Sequence, residues 1–258
     1  MGERKESAVV NVDLIAVPLE RAIEPGDDLG ALLAAALEKK DGDVQAEDVW
    51  LVCRKVVSKA EGRIVRLSAV EPSERARRFA REFGKDPAVV ELALREAREI
   101  VRMERGHLIT ATGPGWVCAN SGVDRSNQNA EGYATLLPED ADASARRLRR
   151  RLESCLDVAP AVLVSDTFGR PWRLGQIDVA IGAAGLEVLD DLSGHADWSG
   201  RVLEHTCAAV ADQLAAAAGL LMRKDAGTPA VLVRGFPYKA GDGRAADLVR
   251  PREDDLFR

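Results

Sequence analysis

Between residues 164 and 186 the chain reads VSDTFGRPWRLGQIDVAIGAAGL. An apolar run from Ala159 to Val164 stops at Ser165, Asp166 and Thr167, and Gly169-Arg170 and Arg173-Leu174-Gly175-Gln176 follow at once. A short buried strand that ends in a carboxylate, a hydroxyl and two guanidiniums suits a divalent cation and a phosphate. Hard cations take oxygen ligands, and the planar fork of arginine matches phosphate oxygens. The second half of the segment, Val179 to Leu186, is small, apolar and carries two glycines. It is expected to pack tightly and so to position what precedes it. A strand, a polar turn and a second buried segment with no chemistry is the alternative, because Asp, Gly and Pro are ordinary turn residues.

The stretch from Cys118 to Asn127 repeats this logic: a strand ends, a glycine permits a sharp turn, and Asp124 and Asn127 emerge from it. Two aspartates at the ends of separate strands, Asp124 and Asp166, could share one hard cation. Mg2+ or Mn2+ fits carboxylate, hydroxyl and phosphate surroundings better than zinc does. Lys59, in Val56-Val57-Ser58-Lys59-Ala60-Glu61-Gly62-Arg63, together with Arg170 and Arg173, would then neutralise phosphate charge. Taken singly, each of these residues is more often a turn or surface residue than a ligand. There is no GxxxxGK[ST] and no GxGxxG, so neither a Walker phosphate loop nor a Rossmann dinucleotide site is supported.

These turns must be positioned by a folded core. With 258 residues, 46% of them hydrophobic and 30% charged, the chain can bury a sizeable core and is globular rather than disordered. The pattern predicts strands at Val9–Val17, Val49–Cys53, Ile64–Leu67 and Ala230–Val233. Helices are expected at Leu29–Lys39, from Pro72 to about Glu82 with Gly84 as the stop, and from Asp86-Pro87 to about Glu104. Leu108–Thr112 and Trp116–Ala119 are expected to form a hairpin around Gly113-Pro114-Gly115. A basic helix spans Ala143–Cys155, and a long alanine-rich helix Gly200–Met222. Hairpins and helices alternate irregularly, without repeats. The expected class is therefore α+β, mixed sheets with packed helices in a single unit, which two intimately packed subdomains could make up.

Several features point away from other functions. A net charge of −6 argues against a general nucleic-acid binder. No apolar stretch reaches membrane-spanning length and no signal-peptide core is present, so a cytoplasmic protein is expected. The arginines at 146, 147, 149, 150 and 151 invite a phosphate reading, but Glu139, Asp140, Asp142 and Glu153 lie among them, which favours a solvated face with ion pairs. His107, His195 and His205 are far apart and without ligand spacing. The four cysteines lie in mostly apolar settings with no CxxC and read as reduced, buried thiols.

The segments VVSKAEGR (56–63), NSGVDRSN (120–127), SDTFGRPWRLGQ (165–176) with VAIGAAGL (179–186), and TPAVLVRG (228–235) resemble the coenzyme F420-0:L-glutamate ligase family. PGDDL (25–29) and DLSGHADWSGRVLEHT (191–206) also match, in the same order, so the resemblance covers nearly the whole chain. It implies a GTP-dependent ligase that adds L-glutamate to the deazaflavin F420-0, with an unusual α+β fold and an intertwined homodimer. It also implies a requirement for Mg2+ or Mn2+ and for K+. Asp124, Asp166 and Thr167 fall on the family's metal positions. Arg54, Lys55, Lys59 and Asn127 fall on positions that contact GTP, with Arg54 replacing the small hydroxyl residue usual there. Leu19, Glu20, Arg21 and Ala22 stand where the family has a Gly-Leu-Pro turn at the nucleotide. Met222-Arg223-Lys224-Asp225-Ala226-Gly227 stands for a glycine-rich stretch with an acidic metal ligand; either Asp225 replaces that ligand or Lys224 occupies its place as a cation. No general base for the amine stands out in the sequence; Glu61 is a guess that a structural role would explain equally well. Some relatives carry a flavin-binding reductase domain after the ligase, and with the chain ending at Arg258 that activity is expected to be absent. The altered residues 19–22 and 222–227 keep two alternatives open: a related ligase acting on another carboxylate, and a paralogue that binds nucleotide or deazaflavin without turnover.

Overall fold

The structure, a computed structural model, describes residues 11–39, 42–126 and 131–255. The first half comprises β1 (Asp13–Val17), α1 (Leu29–Glu38), β2 (Val49–Cys53), α2 (Arg54–Ala60), β3 (Ile64–Arg66), α3 (Glu74–Phe83), α4 (Pro87–Glu96) and β4 (Ala97–Glu104). There follow β5 (His107–Thr112), β6 (Val117–Ala119), β7 (Tyr133–Thr135), α5 (Ala141–Leu156), β8 (Ala161–Arg170) and β9 (Arg173–Ala184). The last elements are β10 (Asp190–Asp191), β11 (Cys207–Ala208), α6 (Val210–Gly219) and β12 (Ala230–Arg234). The fold is α+β, as the sequence implies.

A five-stranded sheet in the order β1-β12-β2-β8-β9 forms the main body. Only β2 and β8 are parallel neighbours; the other pairs are antiparallel. Val49–Val52, Ala161–Val164 and Ala230–Val233 are wholly buried. Continuous apolar runs of this kind mark strands covered on both faces. Helices α1, α5 and α6 share this core. The two glycines of 179–186 do pack closely: a Cβ at Gly182 would overlap the backbone of Ala141 at the start of α5. A second core gathers Phe79, Leu92, Leu108 and Leu136 from α3, α4, β5 and the segment after β7. Its sheet has the order β4-β5-β6.

Helix starts follow local chemistry. Asp28, Ser73, Asp86 and Asp140 each accept a backbone N–H of the first turn of α1, α3, α4 and α5, as N-cap residues do. The glycine hairpin between β5 and β6 is present, closed by Thr112 and Trp116. Three expectations fail. The helix from Asp86 ends at Glu96, and Ala97–Glu104 is a strand paired with β5. Arg105 and Gly106, both at positive φ, form the two-residue turn that joins them, the geometry matched to strand twist. The expected helix from Gly200 to Met222 is confined to Val210–Gly219. Upstream, Asp191 accepts from Ser193 and Asp197 from Ser199 and Arg201, and such local side-chain bonds compete with a helix. The run from Ala159 does not stop at Ser165; β8 continues to Arg170 and turns back through Pro171 and Trp172 into β9.

Arginines of α5 do form ion pairs, but chiefly with distant elements rather than with the local acids expected: Arg147 pairs with Glu61 and Arg151 with Asp28, and Arg146 lies 3.9 Å from Asp140. All four cysteines are unpaired; Cys118 is buried, but Cys207 is exposed, contrary to expectation. Among the described residues no helix is long and apolar enough to cross a membrane. The start of the first expected strand, Val9 and Val10, lies outside the described residues.

Candidate functional site

Where β2 ends at Cys53, beside Ser165 of the longer parallel strand β8, a cavity of about 600 Å3 opens. Parallel strands leave their carboxyl ends on one side, and ligand clefts in α/β sheets form there. Its walls come from five places: the outer half of β8 with β9, the first turn of α2, the turn after β6, the segment after β1, and residues 222–229 before β12. Beside it the β8–β9 ladder is irregular, with Val164 opposite Gly182 and Ser165 opposite Ala180, so that Ile181 is an extra residue. Such bulges re-aim side chains near sites.

Most of the residues singled out in the sequence line this cavity: Leu19, Arg21, Ala22, Arg54, Lys55, Lys59, Asp124, Asp166 and Thr167. Glu20 does not; it pairs with Lys39 on the surface. Arg21 is held by Asp27 through two short bonds of 2.7 and 2.9 Å. Asp225 is not part of the lining, and its carboxylate is taken by Arg223 at 2.9 Å. Lys224 does line the cavity, so of the two alternatives for that segment the structure places the cation, not the acid, at the wall. Arg170 and Arg173 are not brought to the cavity; Arg170 donates to Leu174 O at the hairpin tip. Glu61 sits in a separate cleft with Ser144 and Arg147. Asn127 lies outside the described residues.

Two basic residues at the start of α2 bind the opposing walls. Arg54, 2% exposed, donates to Gly122 O at 2.6 Å and to Leu136 O at 3.3 Å. Its Nε stands 3.1 Å from Asp166 Oδ1, near enough for an ion pair but not aligned for a hydrogen bond. Burial opposes the charge on Arg54, but the carboxylates of Asp166 and Asp124 outweigh it and raise its pKa. Lys55 pairs with Asp124 at 2.7 Å and bonds Ser126 Oγ. Burial works against ionised Asp124 too. The bond from Lys55 and that from Ser126 N–H prevail and lower its pKa to about 2. The Lys59 pKa is lowered by burial and then by the like charge of Lys55. Burial raises the Cys118 pKa to about 12 and also pushes up Cys53, which disfavours the thiolate at both positions.

One lining residue was missed. Asp178 of β9 stands opposite Thr167 in the register and accepts its hydroxyl at 2.5 Å. Burial, with the nearby charge of Asp166, raises its pKa. The turn alone could not have found it: an unbroken hairpin centred on Pro171-Trp172 pairs 167 with 176, and the irregularity between Gly169 and Arg170, which leaves Leu174 and Gly175 as extra residues, moves the partner to Asp178.

A family model for the F420-0:gamma-glutamyl ligases matches residues 19–235, most of the chain. The chain belongs to the F420-0:gamma-glutamyl ligase family. A coenzyme F420:L-glutamate ligase from Methanopyrus kandleri is 47% identical over 247 residues, covering 94% of this chain and 96% of the relative. One from Methanothermobacter thermautotrophicus is 43% identical and covered over its full length, with 96% of this chain matched. A third, from Archaeoglobus fulgidus, is 41% identical over 92% of each chain. The cavity lining lies entirely within the matched span of this ligase family. Among the described residues no group of three or more His, Cys, Asp or Glu side chains is gathered closely enough to hold a metal unaided. Any cation bound here by a ligase of this family would need further oxygen donors from substrate or water.

Proposed function

We propose that this protein forms an amide between the amine of L-glutamate and the free carboxylate of F420-0, with GTP as phosphoryl donor. The observation that supports this most is the single cavity that collects Lys55, Lys59, Asp124, Asp166 and Thr167 in a chain of the ligase family. An amide forms only from an activated acyl group. The acceptor carboxylate attacks the γ-phosphorus of GTP, giving an acyl phosphate and GDP; the glutamate amine then attacks the acyl carbon and phosphate leaves. Phosphoryl transfer is mainly positioning and charge neutralisation.

In this reading Lys59, with Lys55, faces the phosphates as point charges. Arg54 acts differently: its bonds to the Gly122 and Leu136 carbonyls and its pairing with Asp166 tie the walls of the cavity together. The backbone at Leu19–Ala22 borders the nucleotide even though the Gly-Leu-Pro turn is missing. The carboxylates of Asp124 and Asp166 and the hydroxyl of Thr167 are hard oxygen donors around one cavity, a set that suits Mg2+ or Mn2+. When bound, that cation neutralises charge on the transferred phosphoryl group. Two carboxylates and a hydroxyl leave room for phosphate oxygens and water, the way Mg2+ is ordinarily held. Asp225 serves this cation only if its bond to Arg223 opens, and a K+ requirement is part of the same proposal. A homodimer is proposed as well, supported by the exposed Trp172 and Leu174 at the β8–β9 tip. A cytoplasmic location goes with a nucleotide-driven ligase.

The test is incubation of the full chain with F420-0, glutamate, GTP and Mn2+, following product mass, with glutamate-free and ATP controls. A glutamate-dependent mass gain with GDP release is expected. GTP hydrolysis without the gain would direct the activity to another carboxylate, the reading that the Arg21–Asp27 lock in place of the family turn favours. No turnover in any mixture would leave a binding-only paralogue.

A further inference from the structure

Thr167 has one hydroxyl proton and two lone pairs to distribute. The proton goes to Asp178: Thr167 Oγ1 donates to Asp178 Oδ1 at 2.5 Å across a directly opposed pair of strands. The acceptor is itself fixed. Asp178 is part-buried on β9, and its other oxygen lies against Gly219 at the end of α6, where any side chain would overlap Oδ2. The carboxylate thus lies between its neighbouring strand and the end of a helix.

With its proton committed, the Thr167 oxygen has only lone pairs left for the cavity. A hydroxyl so arranged can ligate a cation but cannot donate to a phosphate oxygen. The geometry points to Asp178 as a positioning residue that fixes the Thr167 hydroxyl as a cation ligand and removes it as a phosphate donor. This inference rests on the metal-assisted reading above. It gives a function to a part-buried carboxylate that the mechanism otherwise leaves unused, and it explains why α6 ends on a glycine at that point. Partners of this kind, behind a ligand, set its orientation, and losing one typically weakens metal binding by about 10–100-fold.

The measurement is Mn2+ affinity by electron paramagnetic resonance, with a non-hydrolysable GTP analogue present, on the full chain and four variants. These are Asp178→Ala, Asp178→Asn, Thr167→Val and the Asp178→Ala/Thr167→Val double, each checked for folding by its urea midpoint. Asp178→Ala should weaken Mn2+ binding by about 10–100-fold. Asp178→Asn keeps an oxygen that can accept the Thr167 proton and should stay near wild type. The double variant should bind no more weakly than Thr167→Val alone, because residues acting through one contact are not additive. Wild-type affinity in folded Asp178→Ala, or additive losses in the double variant, would overturn the inference. So would an Asn variant as weak as Ala, since the charge rather than the acceptor geometry would then matter. A wild-type chain that binds no Mn2+ beside the nucleotide analogue would instead bring down the metal reading itself, before any variant is compared.

Discussion

Asp166 and Asp124 reach the same cavity from walls held in different ways. Asp166 lies inside β8, in the main sheet, and faces an arginine side chain that is 3% exposed. Asp124 follows a turn in which Asn120, Ser121 and Gly122 all have positive φ, a costly conformation for the two that carry side chains. That turn is anchored from the second core, where Ser121 bonds Thr110 and Ala93 O. The lysine partner of Asp124 is 12% exposed and its carboxylate 26%, so solvent or a ligand can take over from the lysine. Placement by the sheet leaves Asp166 tied to the fold. Placement by a turn leaves Asp124 exchangeable. The first wall should fail structurally when cut, the second chiefly functionally.

The largest expected effect is therefore at Arg54. Arg54→Ala removes a buried charge opposite Asp166 and strands the carbonyls of Gly122 and Leu136. Breaking one side of a buried pair costs about 3–5 kcal/mol, read as a lower urea midpoint. The corresponding cut on the other wall, Lys55→Ala, should cost about 1 kcal/mol or less, as for a more open pair. Equal losses would mean that the two walls are not held differently after all.

Next come the carboxylates themselves. Asp166→Ala and Asp124→Ala should each lower kcat for glutamate addition by about 10²–10³-fold, the scale of one preorganised charge lost at a reacting centre. Their stabilities should diverge: the Asp166 variant unfolds at much lower urea because buried Arg54 loses its carboxylate, whereas the Asp124 variant should lose no more than about 2 kcal/mol. Full activity in Asp166→Ala would remove that residue from the site. An Asp124 variant as unstable as the Asp166 one would show that its turn depends on the carboxylate.

How much of this was visible in the sequence also divides between the walls. The central strands announce themselves as unbroken apolar runs such as Val49–Val52, and helix starts as Asp28, Ser73 and Asp86-Pro87. The chemistry-bearing residues stood out because carboxylates and hydroxyls abut apolar runs. The failures are places where distant partners decide. Ala97–Glu104 has an apolar spacing that a helix would also accept, and only pairing with β5 makes it a strand. The sequence around Asp166 looks like a turn, yet β9 supplies a complete ladder and carries β8 to Arg170. Missing that ladder also hid Asp178, whose only claim to the site is the residue opposite it. Arg54 looked like a defective nucleotide contact, because its burial between two walls depends on the Gly122 and Leu136 carbonyls, 68 and 82 positions away.

The smallest effect separates the walls by acid. The pKa of Asp124 is lowered to about 2, below the value near 3.9 of an unfolded chain. A depressed carboxylate stabilises the fold above its unfolded pKa and gives that stability up as pH falls through the folded one. The window for Asp124 is therefore about pH 4 down to about pH 2, and roughly 2 kcal/mol is at stake there after allowing for its partial exposure. Many carboxylates titrate in this range, so the quantity to follow is the stability difference between wild type and Asp124→Asn, from urea curves at several pH values. It should shrink by that amount across the window. In a Lys55→Met background the same difference should shrink less, because the lysine's share in holding the pKa down is gone while the bonds from Ser126 remain. A pH-independent difference, or an unchanged one after Lys55→Met, would show that the lysine does not secure Asp124, and that the exchangeable wall is held by its turn alone.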